Sequence, residues 1–333
     1  MTFPVSTMDY QTHHHSLTIL FSSLLLLQAS LSSSQLSFGF YANSCPNAEP
    51  LVKDAIRSAT ESQPALPGKI LRLLFHDCLV EGCDGSVLIE GNGTERSDPA
   101  NQSLGGFSLI DSAKQLVEIF CPGIVSCADV LALAARDAVE LAGGPSVQIP
   151  TGRWDGRVSL ASNVRPNILD TSFTIDEMLQ IFSSKGLSTD DLITLSGAHT
   201  IGTAHCSAFS DRFQEDPEGK LTPIDNSMDG NYTAELIKQC PASASPSITV
   251  NNDPATANLF DNQYYQNLLA NKGLFQSDSA LVRDQRTRQR VETFATDQEE
   301  FFKSWAASFV KLTSIDVKTA QEGEIRMSCM NIN

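Results

Sequence analysis

Apolar residues along this chain recur mainly at spacings of three and four, the period that lays one stripe along a helix. Phe107, Ile110, Ala113, Val117 and Phe120 make such a stripe over Phe107–Phe120, and Ala48–Ser62 alternates apolar and charged positions in the same way. Ile70–Cys78 is a mostly apolar helix that ends in His76-Asp77-Cys78. Cys127–Ala142 is rich in Ala and Leu, and Gly143-Gly144-Pro145 stops it. The pattern predicts further helices at Thr174–Lys185, Thr189–Ser196, Thr203–Phe213, Asp261–Asn271, Arg286–Thr296 and Glu299–Thr313. Asp261 and Thr189 serve as N-cap candidates, while Gly186 and Gly273 fall just past helix ends. Strand signals are thin: Val147-Gln148-Ile149-Pro150 is a short edge at most, and there is no internal repeat. The expectation is an all-α fold. Two long irregular segments, Glu81–Gly106 and Pro241–Ala257, are rich in Gly, Asn, Asp, Ser and Pro. Loops of that length inside a folded domain are functional or pinned, with disulfides and bound calcium as the obvious pins.

The N-terminus departs from this pattern. Ser16–Leu27 is an apolar core of signal-peptide length, followed by the small residues Ala29, Ser30, Ser32, Ser33 and Ser34. It is too short and too broken by Ser for a membrane span. A secretory leader over residues 1–34 is the reading, although its n-region offers His13, His14 and His15 in place of Lys or Arg. The expected destination is extracellular. All eight cysteines lie downstream, and an even count in an exported chain points to disulfides. Eight cysteines allow 105 pairings, so spacing alone does not fix connectivity. A zinc site is the weaker alternative, because no Cys-x-x-Cys pair exists. The formal charge of −16 argues against nucleic acid or an anionic membrane as partner. The sequons at Asn92, Asn101 and Asn231 fit a secreted surface.

Without the leader three histidines remain: His76, His199 and His205. His76 closes the run Leu71-Arg72-Leu73-Leu74-Phe75-His76, and His199 sits in Leu195-Ser196-Gly197-Ala198-His199-Thr200-Ile201-Gly202. One arrangement accommodates both, an iron ligand on one side of a haem and a proton handler on the other. Heterolytic O–O cleavage needs a proton moved between the two oxygens and positive charge where the leaving oxygen becomes anionic. His76 suits the first task. Arg72, one helical turn earlier on the same face, suits the second and stays charged at any relevant pH. His205 has no such support and reads as structural or surface.

The motif Arg72-x-x-Phe75-His76-Asp77-Cys78 with Gly82-Cys83-Asp84-Gly85-Ser86 resembles the secreted class III haem peroxidases of plants. Further blocks match in order over essentially the whole mature chain. They are Gln35-Leu36-Ser37, Val125-Ser126-Cys127-Ala128-Asp129, Gly152-Arg153-x-Asp155-Gly156, the His199 block, Phe260-Asp261-Asn262-x-Tyr264-Tyr265 and Gly323-Glu324-Ile325-Arg326. The resemblance implies a predominantly helical fold over residues 35–333, two lobes sandwiching one haem b. The distal lobe would span roughly residues 35–165 plus the C-terminal end, the proximal lobe roughly 166–320. It implies a monomeric enzyme that reduces H2O2 and oxidises small phenolic donors in two one-electron steps, serving peroxide removal, phenolic or lignin cross-linking, or oxidative-stress response.

Residue by residue, the resemblance makes His76, Arg72, Phe75 and Asn101 the distal machinery, with Asn101 accepting the other ring N–H of His76. A buried Asn101 should carry no glycan. It makes His199 the axial iron ligand and Asp278 its partner. One calcium ion would take side-chain oxygens of Asp77, Asp84 and Ser86 with carbonyls of Val80 and Gly82. A second would take Thr200, Asp253, Thr256 and Asp261 with the Leu259 carbonyl. The implied disulfides are Cys45–Cys121, Cys78–Cys83, Cys127–Cys329 and Cys206–Cys240, which use every cysteine. Asp129 and Arg153 match a buried ion pair between the lobes. Leu74, Leu79, Glu81 and Gly105 depart from the family pattern, as does Asn163-Val164-Arg165-Pro166-Asn167-Ile168, where Pro166 is the candidate for the donor site. Two rival readings are a haem- or calcium-holding protein without turnover and a cofactor-free, disulfide-rich wall protein.

Overall fold

A computed structural model describes Thr2, residues 36–224 and residues 227–333; the leader assigned to residues 1–34 lies outside them apart from Thr2. Eleven α-helices occur among the described residues: α1 (Ala48–Ser62), α2 (Leu66–Val80), α3 (Phe107–Phe120), α4 (Cys127–Leu141), α5 (Ile175–Ser184), α6 (Thr189–Ser196), α7 (Gly230–Gln239), α8 (Gln263–Leu269), α9 (Gln276–Arg283), α10 (Gln285–Thr296) and α11 (Gln298–Leu312). Two antiparallel two-stranded ribbons complete the regular structure. β1 (Thr203–His205) pairs with β4 (Thr249–Asn251), and β2 (Phe213–Glu215) with β3 (Leu221–Pro223).

Local chemistry accounts for most helix starts. Ser126 accepts from Asp129 N–H at the start of α4, and Asp297 from Glu300 N–H at the start of α11. Thr174 with Glu177 and Ser188 with Asp191 form capping boxes on α5 and α6, satisfying backbone donors that have no intrahelical partner. Ser188 is therefore the N-cap of α6, one residue before the expected Thr189. Asn262 immediately precedes α8 without a side-chain cap, and the expected Asp261, one residue earlier, accepts from the first helical N–H, that of Gln263, at 2.9 Å. The helix ending in His76-Asp77-Cys78 begins four residues earlier than the apolar run. Pro67 lies in its first turn, where a missing N–H costs nothing.

Three expectations need correction. Thr203–Phe213 is not a helix: Thr203–His205 pairs with Thr249–Asn251, Cys206–Arg212 is 3-10, and Phe209 has φ −137°. Partners distant in sequence, the β4 strand and the Cys206–Cys240 disulfide, override the local apolar spacing. Val147-Gln148-Ile149-Pro150 forms no strand; the nearest pairing is the bridge between Ser37 and Thr151. Helices α7 and α9 lie in segments for which no helix was expected.

Leu36–Asn333 forms one compact unit. α4 is fully buried along its apolar stretch Val130–Ala135, with α1 and α2 packed on it. α6 packs on α10 and α11, and α8 on α10, beneath a cluster of Tyr265, Phe260, Phe294, Phe301 and Trp305. A smaller core gathers Phe209, Tyr232, Leu236, Val250 and Phe275. The four disulfides join Cys45–Cys121, Cys78–Cys83, Cys127–Cys329 and Cys206–Cys240, the implied set, and no described cysteine is free. Asp129 and Arg153 form a fully buried pair at 2.6 Å, and Asp129 also accepts from Tyr41 Oη at 2.6 Å. Where α2 meets the segment after His199, backbone touches backbone: a Cβ on Gly68 would lie 2.6 Å from Gly202 Cα. No helix among the described residues is long and apolar enough to cross a membrane.

Candidate active site

α2 carries Arg72 and His76 one turn apart, so both point from one face of the helix. Arg72 Nε donates to His76 Nε2 at 3.2 Å. The Arg72 guanidinium is held from beyond by Ser103 Oγ (3.0 Å) and the Ala100 carbonyl (3.3 Å). His76 Nδ1 lies 2.7 Å from Asn101 Oδ1, and Asn101 Nδ2 donates to the Glu95 carbonyl at 2.9 Å. This assigns the proton to Nδ1 and leaves the Nε2 lone pair as the basic site. Burial, reinforced by the Arg72 charge, pushes the His76 pKa down to about 3, and the Asn101 bond only partly opposes this. The imidazole is thus neutral over the whole physiological range. Phe75 is partly buried, its ring 6.2 Å from that of His76.

His199 lies in the 3-10 turn Gly197–Thr200 directly after α6, and α2 contacts that turn. Its Nδ1 is 2.9 Å from Asp278 Oδ1, at the start of α9. Asp278 also accepts from Tyr264 Oη (2.8 Å) and Phe275 N–H (2.9 Å). Its pKa is lowered: burial opposes ionisation, but His199 and the other donors outweigh it. With Nδ1 engaged, His199 presents Nε2 from a side chain that is 38% exposed although its neighbours pack inside. An imidazole with a free Nε2 and a carboxylate behind it fits a haem-iron ligand. His205 sits on β1, partly buried, and its Nδ1 has no hydrogen-bond partner.

The two hard-oxygen groups also assemble. Asp77 accepts from Gly85 and Val87 N–H, and Asp84 from Ser86 N–H. Burial and then the neighbouring Asp84 push Asp77 up to about 8, and burial and then Asp77 push Glu95 up to about 9. Ser86 Oγ and both Glu95 carboxylate oxygens are buried and make no hydrogen bond. Lys318 Nζ stands 3.6 Å from Asp84, and Lys185 Nζ donates to the Val80 carbonyl (3.2 Å). The Gly82 carbonyl accepts from Asp84 N–H (2.8 Å). On the other side, Asp261 Oδ1 receives Thr200 Oγ1 (2.9 Å) and Thr256 Oγ1 (3.2 Å), and Thr256 also reaches Asp253. Leu259 N–H closes the loop onto the Thr256 carbonyl. Among the described residues no three His, Cys, Asp or Glu side chains converge as a metal site, so hydroxyls and carbonyls have to complete either shell. Buried carboxylates crowded together beside an idle hydroxyl suit a hard divalent cation.

Pro166 is exposed in the turn after Ala161–Asn163, and Arg165 ties this segment to Asp98 (3.3 Å), three residues before Asn101. Two departures from the family pattern meet: Asn163 Nδ2 donates to Glu81 Oε1. Leu74 and Leu79 are buried in the core. Asn101 is 1% exposed, whereas Asn92 and Asn231 are exposed. A cavity of about 460 Å3 opens beside Glu81, Lys318 and Glu322, away from the histidines. Sequence reasoning missed Ser103, Glu95 and the Tyr264 hydroxyl. Ser103 and Glu95 lie in an irregular loop with no periodic signal, and the carboxylate that meets Tyr264 is on another helix.

A family model described as Peroxidase matches residues 52–297. Peroxidase 18 of Arabidopsis thaliana is 62% identical over 317 residues, covering 95% of this chain and 96% of its own. Peroxidase 46 of the same plant is 60% identical over 312 residues (93% and 96%). Peroxidase 5 of Vitis vinifera is 43% identical over 304 residues (90% and 92%).

Proposed function

The chain belongs to the peroxidase family, and from that premise we propose that Arg72 and His76 cleave hydrogen peroxide while His199, backed by Asp278, holds haem b from the opposite side. It is an enzyme, a haem peroxidase acting on H2O2. When bound, haem supplies the iron centre that receives peroxide and takes up electrons singly. His76 Nε2 accepts the proton of the inner peroxide oxygen and returns it to the outer one. Arg72 places fixed positive charge where the departing oxygen becomes anionic. Asn101 keeps the His76 proton on Nδ1, and Phe75 walls the approach. Asp278 accepts the His199 N–H and makes Nε2 the stronger donor.

One contrast carries this reading: each imidazole has its Nδ1 fixed, His76 by a neutral amide at 2.7 Å and His199 by a carboxylate at 2.9 Å. The same side chain is thereby set as a proton handler on one side and an electron-rich ligand on the other. Small phenolic donors, oxidised in two one-electron steps near Pro166, return the enzyme to its resting state. Two Ca2+ ions brace the segments that follow the two histidines, through Asp77, Val80, Gly82, Asp84 and Ser86 on one side and Thr200, Asp253, Thr256, Leu259 and Asp261 on the other. The leader directs a monomer of two lobes to the extracellular space, and the net charge of −16 is consistent with partners other than nucleic acid. His76→Ala tests the assignment: the purified variant should keep the visible haem spectrum and lose rapid reaction with peroxide, by at least about 100-fold if the base is removed. Guaiacol turnover equal to that of the unaltered protein would refute it.

A further inference from the structure

Four tyrosines occur among the described residues, and their hydroxyls have different partners. Tyr265 donates to the carbonyls of Ile193 and Thr194, which cannot take the proton away. Tyr232 Oη is buried with no hydrogen-bond partner. Tyr41 donates to Asp129, whose charge is already bound by Arg153 and the backbone N–H groups of Gly152 and Arg153. Tyr264 alone among the four combines a carboxylate acceptor with contact to His199. Its Oη donates to Asp278 Oδ1 at 2.8 Å, the atom that also faces His199 Nδ1, and the two rings stand 5.9 Å apart, edge to face. The side chain is 4% exposed, shut away from any dissolved reductant.

We propose that Tyr264 is an internal electron donor, giving up one electron and its phenolic proton when peroxide has reacted and no external donor is bound. The step balances. Hydrogen peroxide takes up two electrons as its O–O bond breaks to give one water and a second oxygen at the oxide level; bound haem would furnish one electron, and Tyr264 supplies the other through the contact with His199. The Tyr264 O–H bond breaks, an O–H bond forms on Asp278, and a neutral phenoxyl remains. A buried phenol loses an electron readily only when its proton has somewhere to go, since a cationic ring in an apolar interior is costly. Asp278 is that destination, one hydrogen bond away. The rings beyond do not offer a better resting place. Tyr265 is 5.1 Å from Tyr264 and Phe301 is 5.1 Å from Tyr265, yet Trp305 at the end of this cluster has a buried Nε1 with no acceptor. The oxidising equivalent therefore halts at Tyr264.

The inference rests on His199 being the iron ligand, and the experiment separates the two. Haem-loaded full-length mature protein is mixed with one equivalent of H2O2 without phenol, frozen within milliseconds and read by electron paramagnetic resonance. A tyrosyl signal is expected that narrows in protein made with ring-deuterated tyrosine, persists in Tyr265→Phe and Tyr41→Phe, and is lost in Tyr264→Phe. In unaltered protein prepared in D2O, an exchangeable proton coupling to the radical, from Asp278, should disappear; this reading needs no variant to fold. An optical reaction with peroxide and no tyrosyl signal overturns the internal donor and leaves the peroxidase reading standing. A signal unchanged in Tyr264→Phe, or one without an exchangeable coupling, overturns it as well. Failure to form any haem spectrum removes the iron ligation and this inference together.

Discussion

Replacing Asp278 by Asn removes one charge while keeping nearly the same shape, and the structure sets the size of the effect. Asp278 accepts three bonds, from His199 and Tyr264 on Oδ1 and from Phe275 N–H on Oδ2. An amide offers a single acceptor oxygen, so in either orientation its NH2 group faces a donor. One buried donor left unpaired costs about 1–3 kcal/mol. The bonds that survive lose their charge assistance, roughly 1 kcal/mol each. The total is about 3–5 kcal/mol, enough to lower the denaturant midpoint visibly in equilibrium unfolding. The loss should also be felt at iron: a neutral partner withdraws less of the His199 N–H proton, the imidazole donates less, and the reduction potential rises. Unfolding curves and spectroelectrochemistry on the same haem-loaded variant give the two answers separately. A folded, destabilised variant with an unmoved potential would show that Asp278 only anchors the ring, and would refute the electronic half of the argument.

Other outcomes follow from single features. Asp191 accepts from Ser188, Ser308 and Lys311, and these bonds outweigh burial and hold its pKa at about 2, below its ordinary 3.8. Its contribution, on the order of 2 kcal/mol, is complete above the unfolded value and vanishes as pH falls through the folded one. Asp191→Asn should therefore cost stability at pH 7 and progressively less between about pH 4 and 2 in urea titrations; an equal cost throughout would argue against the charge. Asn101 is buried and bonded at both ends of its amide, so peptide mapping of the secreted protein should find glycans at Asn92 or Asn231 and none at Asn101. A glycan there would displace His76 from its acceptor. Prolonged chelation should lower the melting temperature and perturb the haem band, because Asp77 and Thr200 directly follow the two histidines; identical melts would count against structural calcium.

α1 and α3 were legible almost to the residue, because Val52 and Ile56 or Ile110, Ala113 and Val117 bury one stripe, although Phe120 at the end of α3 is exposed. Thr203–Phe213 was not, since its conformation is decided by β4 and Cys240, more than thirty residues away, and no local window contains them. α7 begins Gly230-Asn231 and α9 is short and polar, so their apolar stripes were too sparse to stand out. The histidine pair was legible through its motifs, Arg72 and His76 lying one turn apart. The hydroxyl that shares Asp278 was hidden, because Tyr264 and Asp278 are brought together by two helices packing and by nothing in their own neighbourhoods.

At Gly68 and Gly202 the strip of chain bearing one histidine leans on the strip bearing the other without a single methyl group in between. Such a joint behaves like the closed jaw of a calliper. The spacing of the two strips there is set by main-chain atoms rather than by side chains free to change rotamer. A methyl group added at Gly68 would therefore pry the two strips apart and shift both histidine-bearing segments at once.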